Sequence, residues 1–376
     1  MIAKKGNIGY RIDKIPRTDN DFIYTCFARG GSSKNYHYLS TMGPFGHLCR
    51  ILGAIRRYIF KNFKHRIYDK ALFEYFYFLN RLFISKFNRE SKFRIAHVVE
   101  FSPMIIKRLK KEGYQVILDV PIGPSRYMLD LIEEVGKEVS DIGAYYMKDI
   151  EEESFLLADQ IIVPSKFVLN ELIKCGVEQN KINLIPFGID RTNGYLRKPD
   201  DKTEGIDFVF AGVISTRKGI RYLLEAWSDK RFSKDRLHLC GSITPEATSL
   251  IKSLGLTNII LPGFIDTKEY FKKCDVYVFP SLLEGSSKSV YEAMNSSLAV
   301  ITTIESGSII KDQFDGLIVA KCDAKALVTK MLEFKFDPKY RYKCAKSGYE
   351  TVQNYSWDNY SSKVNELYGR LNRNGE

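Results

Sequence analysis

The stretch Asp207–Trp227, DFVFAGVISTRKGIRYLLEAW, decides the fold. It opens with DFVFA, a short apolar run closed by Gly212, the pattern of a strand covered on both faces. Beyond the turn residues Ser215 and Thr216, the apolar positions Ile220, Leu223, Leu224 and Trp227 recur at helical spacing and form one core-facing stripe. Strand, glycine turn and helix in that order make one unit of a parallel α/β sheet.

The same alternation continues downstream. RLHLCGS, NIILPGF, DVYVFP, LAVITT and GLIV read as strands, separated by helices near Pro245–Leu254, Lys268–Lys273 and Ser289–Asn295. A helical stretch from Pro338 to Leu371 follows, with no strand after it. Upstream, from Phe93, RIAHVVEF leads into a helix at Met104–Lys111, then YQVILDV, an acidic-first helix in DIEEESFLLADQ and a strand at Gln160–Val163. A helix capped by Ser165 and closed by Gly176 precedes the strand NLIPFGID. Between the two series, Arg191–Gly205 holds turn residues and almost nothing apolar, so it reads as a linker. The expected division is a first domain over 1–190, a linker over 191–206, a second domain over 207–350 and a terminal helix over 351–376.

At 376 residues the chain has room for two domains with sizeable cores. With 44% hydrophobic and 27% charged residues it is neither disordered nor collagenous. A net charge of +12 calls for an anionic partner of some kind. Residues 50–94 carry twelve Lys or Arg against three acidic residues, a local +9, interleaved with Ile51, Leu52, Ile55, Ile59, Phe63 and Ile67 at helical spacing. This is a basic amphipathic segment, suited either to an anionic membrane surface or to packing on the first domain. The seven cysteines are scattered without a C-x-x-C pair, which suits a reducing compartment. The N-terminus lacks an apolar signal region, and no run reaches the length of a spanning helix. A cytoplasmic protein is expected. Five histidines without ligand spacing make a zinc site unexpected, and Asp19-Asn20-Asp21 reads as a polar turn rather than a metal site.

Chemistry concentrates where strands end. Arg217 and Lys218 fall in the first turn of the expected helix, where cations oppose the helix dipole unless an anion sits in front of them. Gly212 allows close backbone approach there, and the amides of a helix start favour phosphate. Glu284 and Glu292 flank the turn after DVYVFP, at the carboxyl end of a strand where ligands bind. For Glu292 a second reading stands beside the first: Ser289-x-x-Glu292 has the spacing of a capping box. Gly307 and Ser308 sit at another such junction and are candidates for an anion-binding concavity. Gly241, and Gly263 followed by Phe264 and Ile265, end two further strands facing the same crevice.

Taken in order, AGVISTRKGIRYLLEAW, LHLCGS, LPGFIDTKEYFKKCDVYVFPS, Glu284, seven residues, Glu292 and ESGSIIKDQFDGLIV resemble the nucleotide-sugar-binding half of family 4 retaining glycosyltransferases. ADQIIVPSKFV and KINLIPFGID resemble the domain junction of the same family. The resemblance implies the GT-B architecture: α/β, two Rossmann-like domains with parallel sheets facing an interdomain cleft, and a terminal helix crossing back to the first domain. It further implies a nucleoside-diphosphate sugar as donor and a glycan acceptor, lipid-linked and of the surface polysaccharide, O-antigen or capsule type. Arg217 and Lys218 would hold the donor diphosphate in place of a metal, so neither a metal nor a cofactor is expected. Glu292 would bind the ribose hydroxyls and Glu284 the transferred sugar. Gly307 and Ser308 would offer backbone amides to the diphosphate, the backbone near Phe264 and Ile265 would approach the base, and Gly212 and Gly241 complete the expected donor-binding residues.

The chain departs from that pattern in places. Ser297 and Ala299 stand in NSSLAV where many members have Gly and Pro, and Ser286-Ser287-Lys288 replaces a common glycine-rich turn. The loop DVPIGPSRY lacks the histidine that many members carry near the reacting carbon; His97 lies one strand earlier and reads equally well as an ordinary strand histidine. An epimerase or phosphorylase on the same architecture, or a non-catalytic GT-B partner at a membrane, are the alternatives. Nucleic acid is not an expected partner, since no recognition motif accompanies the basic segment.

Overall fold

The computed structural model describes residues 23–25, 36–38, 95–99, 101–136, 142–190, 195–196 and 198–374. The basic segment 50–94 and the Asp19–Asp21 turn lie outside the described residues. Two short strands, β1 (Ile23–Thr25) and β2 (Tyr36–Tyr38), pair in parallel.

The first α/β body has four parallel strands in the order β3 (Ile95–Val98), β4 (Gln115–Asp119), β5 (Gln160–Val163) and β6 (Ile182–Leu184). Its helices are α1 (Pro103–Lys111), α2 (Ser125–Val135), α3 (Ile142–Leu157) and α4 (Lys166–Lys174). Local chemistry sets the helix starts: Ser102 caps α1, with Pro103 in its first turn, and Ser165 caps α4 by accepting from the Val168 amide.

The second body is a six-stranded parallel sheet in the order β12 (Leu317–Val319), β11 (Ala299–Thr303), β10 (Val276–Phe279), β7 (Asp207–Ala211), β8 (Arg236–Cys240), β9 (Ile259–Gly263). All five residues of β7 are buried, as a central strand covered by helices requires. The stripe Ile220, Leu223, Leu224 and Trp227 of α5 (Ile220–Trp227) is buried on this sheet, and Trp227 stacks on Phe232 at 5.2 Å. Helices α6 (Pro245–Ser253), α7 (Thr267–Tyr270), α8 (Lys288–Asn295), α9 (Ala324–Phe336) and α10 (Pro338–Val352) complete the body.

The last helix, α11 (Trp357–Asn374), returns to the first body. Trp357, Tyr360, Val364, Leu367 and Leu371, one face of that helix, are buried with Ile117, Ile162 and Ile185 of the first sheet and its edge. The described part of the expected linker is held fast: buried Arg341 donates to Asp200 (2.6 Å) and to the Lys202 carbonyl, and Lys202 pairs with Asp275.

The expected helix at Gly219 breaks differently. Thr216–Lys218 is a separate 3-10 turn, and Gly219 adopts a left-handed conformation at φ 74° before α5 begins. A Cβ on Gly219 would lie 1.8 Å from the Pro280 carbonyl oxygen, so only glycine lets the turn sit against β10's exit.

Candidate active site

In the second sheet the strand order reverses between β7 and β10: β8 and β9 extend to one side, β11 and β12 to the other. That is the topological switch point, where the loops leaving the carboxyl ends of the two strands diverge and open a crevice. The residues singled out by the sequence fall on these loops. Arg217 and Lys218 follow β7, and Glu284 follows β10.

The three converge on one atom. Arg217 Nη1 lies 3.0 Å and Lys218 Nζ 2.5 Å from Glu284 Oε1. Arg217 Nη1 also donates to the Leu283 carbonyl at 2.6 Å, and Ser281 Oγ approaches Glu284 Oε1 at 3.4 Å. Lys218 lies over the Phe279 ring, its Nζ 5.0 Å from the centroid. Burial lowers the Lys218 pKa, with Glu284 opposing that shift and Arg217 adding to it. Two cations facing one carboxylate leave a net positive charge in a partly desolvated pocket, where a further anion gains more than it would in water. In the sequence these cations fall in the first turn of the expected helix, opposing its dipole. The structure places them one turn ahead of α5, with Glu284 supplying part of the neutralising charge.

Glu292, on α8, accepts from Thr267 Oγ1 at 2.9 Å and pairs with Lys288 at 3.1 Å. The capping-box reading does not hold. The N-cap is Ser287, Ser289 lies inside the helix, and its hydroxyl bonds to Tyr277 at 2.6 Å. Glu292 is thus a side chain of the crevice wall, tied by Thr267 to the loop after β9.

The glycines shape the floor. The Gly212 amide donates to the Cys240 carbonyl and the Gly241 amide to that of Gly263, joining the ends of β7, β8 and β9. A Cβ on Gly241 would lie 2.0 Å from the Gly212 oxygen. Beyond Gly263, Phe264 is 88% exposed while Ile265 packs on the core. Gly307 has φ 62° and spends its amide on the Ile304 carbonyl; Ser308 follows it, half-buried. A Cβ on Gly307 would meet the Gly285 oxygen at 2.0 Å and Ser165 Oγ at 3.0 Å, so this junction also touches the first domain.

His97 is engaged elsewhere. Its Nδ1 lies 2.7 Å from the Tyr368 hydroxyl of α11, and its Nε2 3.9 Å from Asp119. Among the described residues no group of three His, Cys, Asp or Glu is arranged to hold a metal ion, and no helix is long and apolar enough to cross a membrane.

Sequence reasoning missed Leu282 and Leu283. Both lie in the crevice loop, both are fully buried, and both pack into the core of the first domain. Their one signal was two adjacent leucines in an otherwise polar loop, SLLEGSS. It also missed Tyr222 and Cys322, which pack on the same core, and Lys321, which pairs with Glu134 of α2 and lies over the Tyr127 ring. Glu305, beside them, has its pKa raised by burial and by neighbouring Glu134 and Glu171.

The chain is similar to known proteins along both of its halves. A family model described as glycosyl transferases group 1 matches residues 205–335, and one for glycosyltransferase family 4 matches residues 56–193. An uncharacterized glycosyltransferase of Methanocaldococcus jannaschii is 27% identical over 219 residues, 57% of this chain and 60% of that one. The capsular polysaccharide biosynthesis glycosyltransferase CapM of Staphylococcus aureus is 28% identical over 56% of this chain and 60% of its own. The chain thus spans about three fifths of the length of these two relatives. An N,N'-diacetylbacillosaminyl-diphospho-undecaprenol alpha-1,3-N-acetylgalactosaminyltransferase of Campylobacter jejuni is 30% identical over 29% of this chain and 30% of its own. Among solved structures, sucrose-phosphate synthase of Thermosynechococcus elongatus shares the fold with a TM-score of 0.63 at 20% identity, over 79% of this chain and 77% of that one. Two parallel-sheet α/β bodies, and family models that match one in each half, place the chain in the group 1, family 4 type of GT-B glycosyltransferases.

Proposed function

We propose that the protein is a retaining glycosyltransferase that moves a sugar from a nucleoside-diphosphate donor to a growing, lipid-linked surface glycan at the cytoplasmic membrane face, without a metal. The observation that carries this reading is the convergence of Arg217 and Lys218 on Glu284 Oε1 at the switch point. As the glycosidic bond to the donor breaks, negative charge builds on the departing diphosphate. Fixed cations already in place meet it without reorganisation. Glu284 draws the two cations together, offsets their mutual repulsion and holds them in place before the donor arrives. Among the described residues its side-chain contacts from Arg217, Lys218 and Ser281 use Oε1, and Oε2 is the oxygen for a hydroxyl of the transferred sugar. Glu292, fixed by Thr267, takes the ribose hydroxyls, and exposed Phe264 with the Ile265 backbone takes the base. The names of the S. aureus and C. jejuni relatives, a capsular polysaccharide biosynthesis glycosyltransferase and a diphospho-undecaprenol-dependent N-acetylgalactosaminyltransferase, support a surface glycan and a lipid-linked acceptor. The basic segment 50–94 supplies the membrane contact.

A thermal-shift panel of UDP-, GDP-, ADP- and TDP-sugars finds the donor, because a ligand stabilises by RT ln(1 + [L]/Kd). With that donor and a polyprenyl-diphosphate acceptor, the product's anomeric configuration matches the donor's, and EDTA leaves the rate unchanged. An inverted product, or a rate lost to EDTA and restored by manganese, overturns the corresponding part of the reading.

A further inference from the structure

The crevice loop between β10 and α8 belongs to the second domain by sequence and to the first by packing. Leu282 is 0% and Leu283 1% exposed, and both are members of the apolar cluster built from Leu118, Val120, Phe167 and Leu172 of the first domain. The backbone of the same two leucines holds Arg217 from both sides. The Leu282 amide donates to the Arg217 carbonyl at 2.9 Å, and the Leu283 carbonyl accepts from Arg217 Nη1 at 2.6 Å. Glu284 follows directly, its amide bonded to the Glu305 carbonyl.

The fit has almost no slack. A Cβ on Gly123 would lie 2.5 Å from Leu283 Cδ1, and one on Gly285 would lie 1.7 Å from the Pro121 carbonyl oxygen. The side chains of the pair are therefore set by one domain while their backbone sets the cations of the other.

We propose that Leu282 and Leu283 are positioning residues through which the first domain orders Arg217, Lys218 and Glu284, so that the diphosphate site is complete only while the two domains are docked. The inference rests on the donor reading above. It makes donor binding and domain docking one linked equilibrium: whatever undocks the leucines loosens the cations, and a diphosphate on the cations favours docking. An ordinary buried leucine of the same core has no such route to the site.

The test compares Leu283→Ala with Leu131→Ala, a leucine of α2 that is also 1% exposed in the same cluster but lies outside the crevice loop. UDP, GDP, ADP and TDP are titrated into wild type by calorimetry. Binding of none of them removes the donor reading itself. With the nucleotide that binds, Leu283→Ala raises Kd at least ~10-fold, about 1.4 kcal/mol, and speeds hydrogen exchange of the 281–287 amides. Leu131→Ala lowers the melting temperature comparably and leaves both readouts unchanged, and Leu283→Met restores both.

Should Leu283→Ala not fold, Gly123→Ala serves instead. Its methyl creates no cavity and presses on the flexible end of Leu283 (2.5 Å) and on the Phe167 ring that Leu283 packs with (2.9 Å), and it weakens nucleotide binding although Gly123 lies outside the nucleotide-binding half. Equal effects of Leu283→Ala and Leu131→Ala on Kd and exchange, or full affinity in Gly123→Ala, overturn the proposal.

Discussion

Two charge clusters cap opposite ends of the same strands. At the N-terminal ends, Asp207 accepts from Arg236 through both Nε and Nη2 (2.5 and 2.6 Å) and lies 2.9 Å from His238 Nε2. Lys202 bridges Asp207 to Asp275, and the Tyr270 hydroxyl closes the set on His238 Nδ1. Two carboxylates meet two permanent cations there, and each hydrogen-bonding group is used. At the C-terminal ends two cations share a single carboxylate oxygen. A cluster with balanced charge and satisfied bonds holds a fold together. One with a surplus cation, at a switch point, is ready for a ligand.

The comparison breaks most sharply at Asp207. Removing buried Asp207 takes the acceptor from His238 Nε2, Arg236 and Lys202; the last two still reach water, so the cost is about 1–3 kcal/mol. Asp207→Ala therefore lowers the melting temperature, while the donor's Kd, measured well below that temperature, stays put. The pH dependence carries the same signature. Asp207 is mostly buried, which alone would raise its pKa, yet hydrogen bonds from His238 and Arg236 and the charges of Lys202 and Arg236 hold it well below the usual carboxylate range. A depressed carboxylate adds stability that is full above the unfolded pKa of about 3.9 and is lost as pH falls below it. Thermal melts of the wild type should drop faster between pH 4 and pH 2 than those of Asp207→Ala. Parallel curves would show that the cluster is not the source of that stability.

At the other end the expectation reverses. Lys218 is buried beside a like charge, so holding it as an ammonium costs stability. Lys218→Met keeps the stem over Phe279, and Glu284 keeps Arg217 as its partner. The variant should melt at or above the wild-type temperature while turnover falls by ~10² or more. A melting temperature that falls with the rate would make Lys218 another structural charge and erase the contrast between the two ends.

Much of this contrast was legible in the sequence. The strand-glycine-helix units, the second sheet and the residue types at its carboxyl ends follow from local periodicity and glycine placement, as Asp207–Trp227 shows. What escaped depends on contacts between distant segments. Nothing local to Ser289-x-x-Glu292 says that Tyr277 and Thr267 will claim those side chains. Nor does SLLEGSS say which core its leucines enter, because burial across a domain boundary leaves no periodic trace in a seven-residue loop. Asp207, His238 and Asp275 were read only as parts of strands or their edges, for the same reason: their partners lie 31 and 68 residues away.

A third polar position sharpens the distinction at small scale. Ser297 follows α8 in the left-handed region at φ 51°, with the Leu298 amide donating to the Ala293 carbonyl and the Ser297 amide to that of Met294. This is the helix-ending geometry that glycine adopts without cost. The Ser297 hydroxyl is buried and meets no hydrogen-bond partner among the described residues. Like the crevice cations, it is a polar group with unmet demand, but it is neutral and sits at the end of α8, behind the crevice wall. Its unmet demand should therefore register in stability alone. Ser297→Gly removes both the strained φ and the orphaned hydroxyl, offset in part by a freer unfolded chain, for a net gain of about 1 kcal/mol. In a domain of this size that is a rise of about 2–4 °C in melting temperature, with turnover unchanged. A fall in melting temperature would mean that the hydroxyl has a partner; a fall in turnover would mean that α8 transmits its end geometry to Glu292.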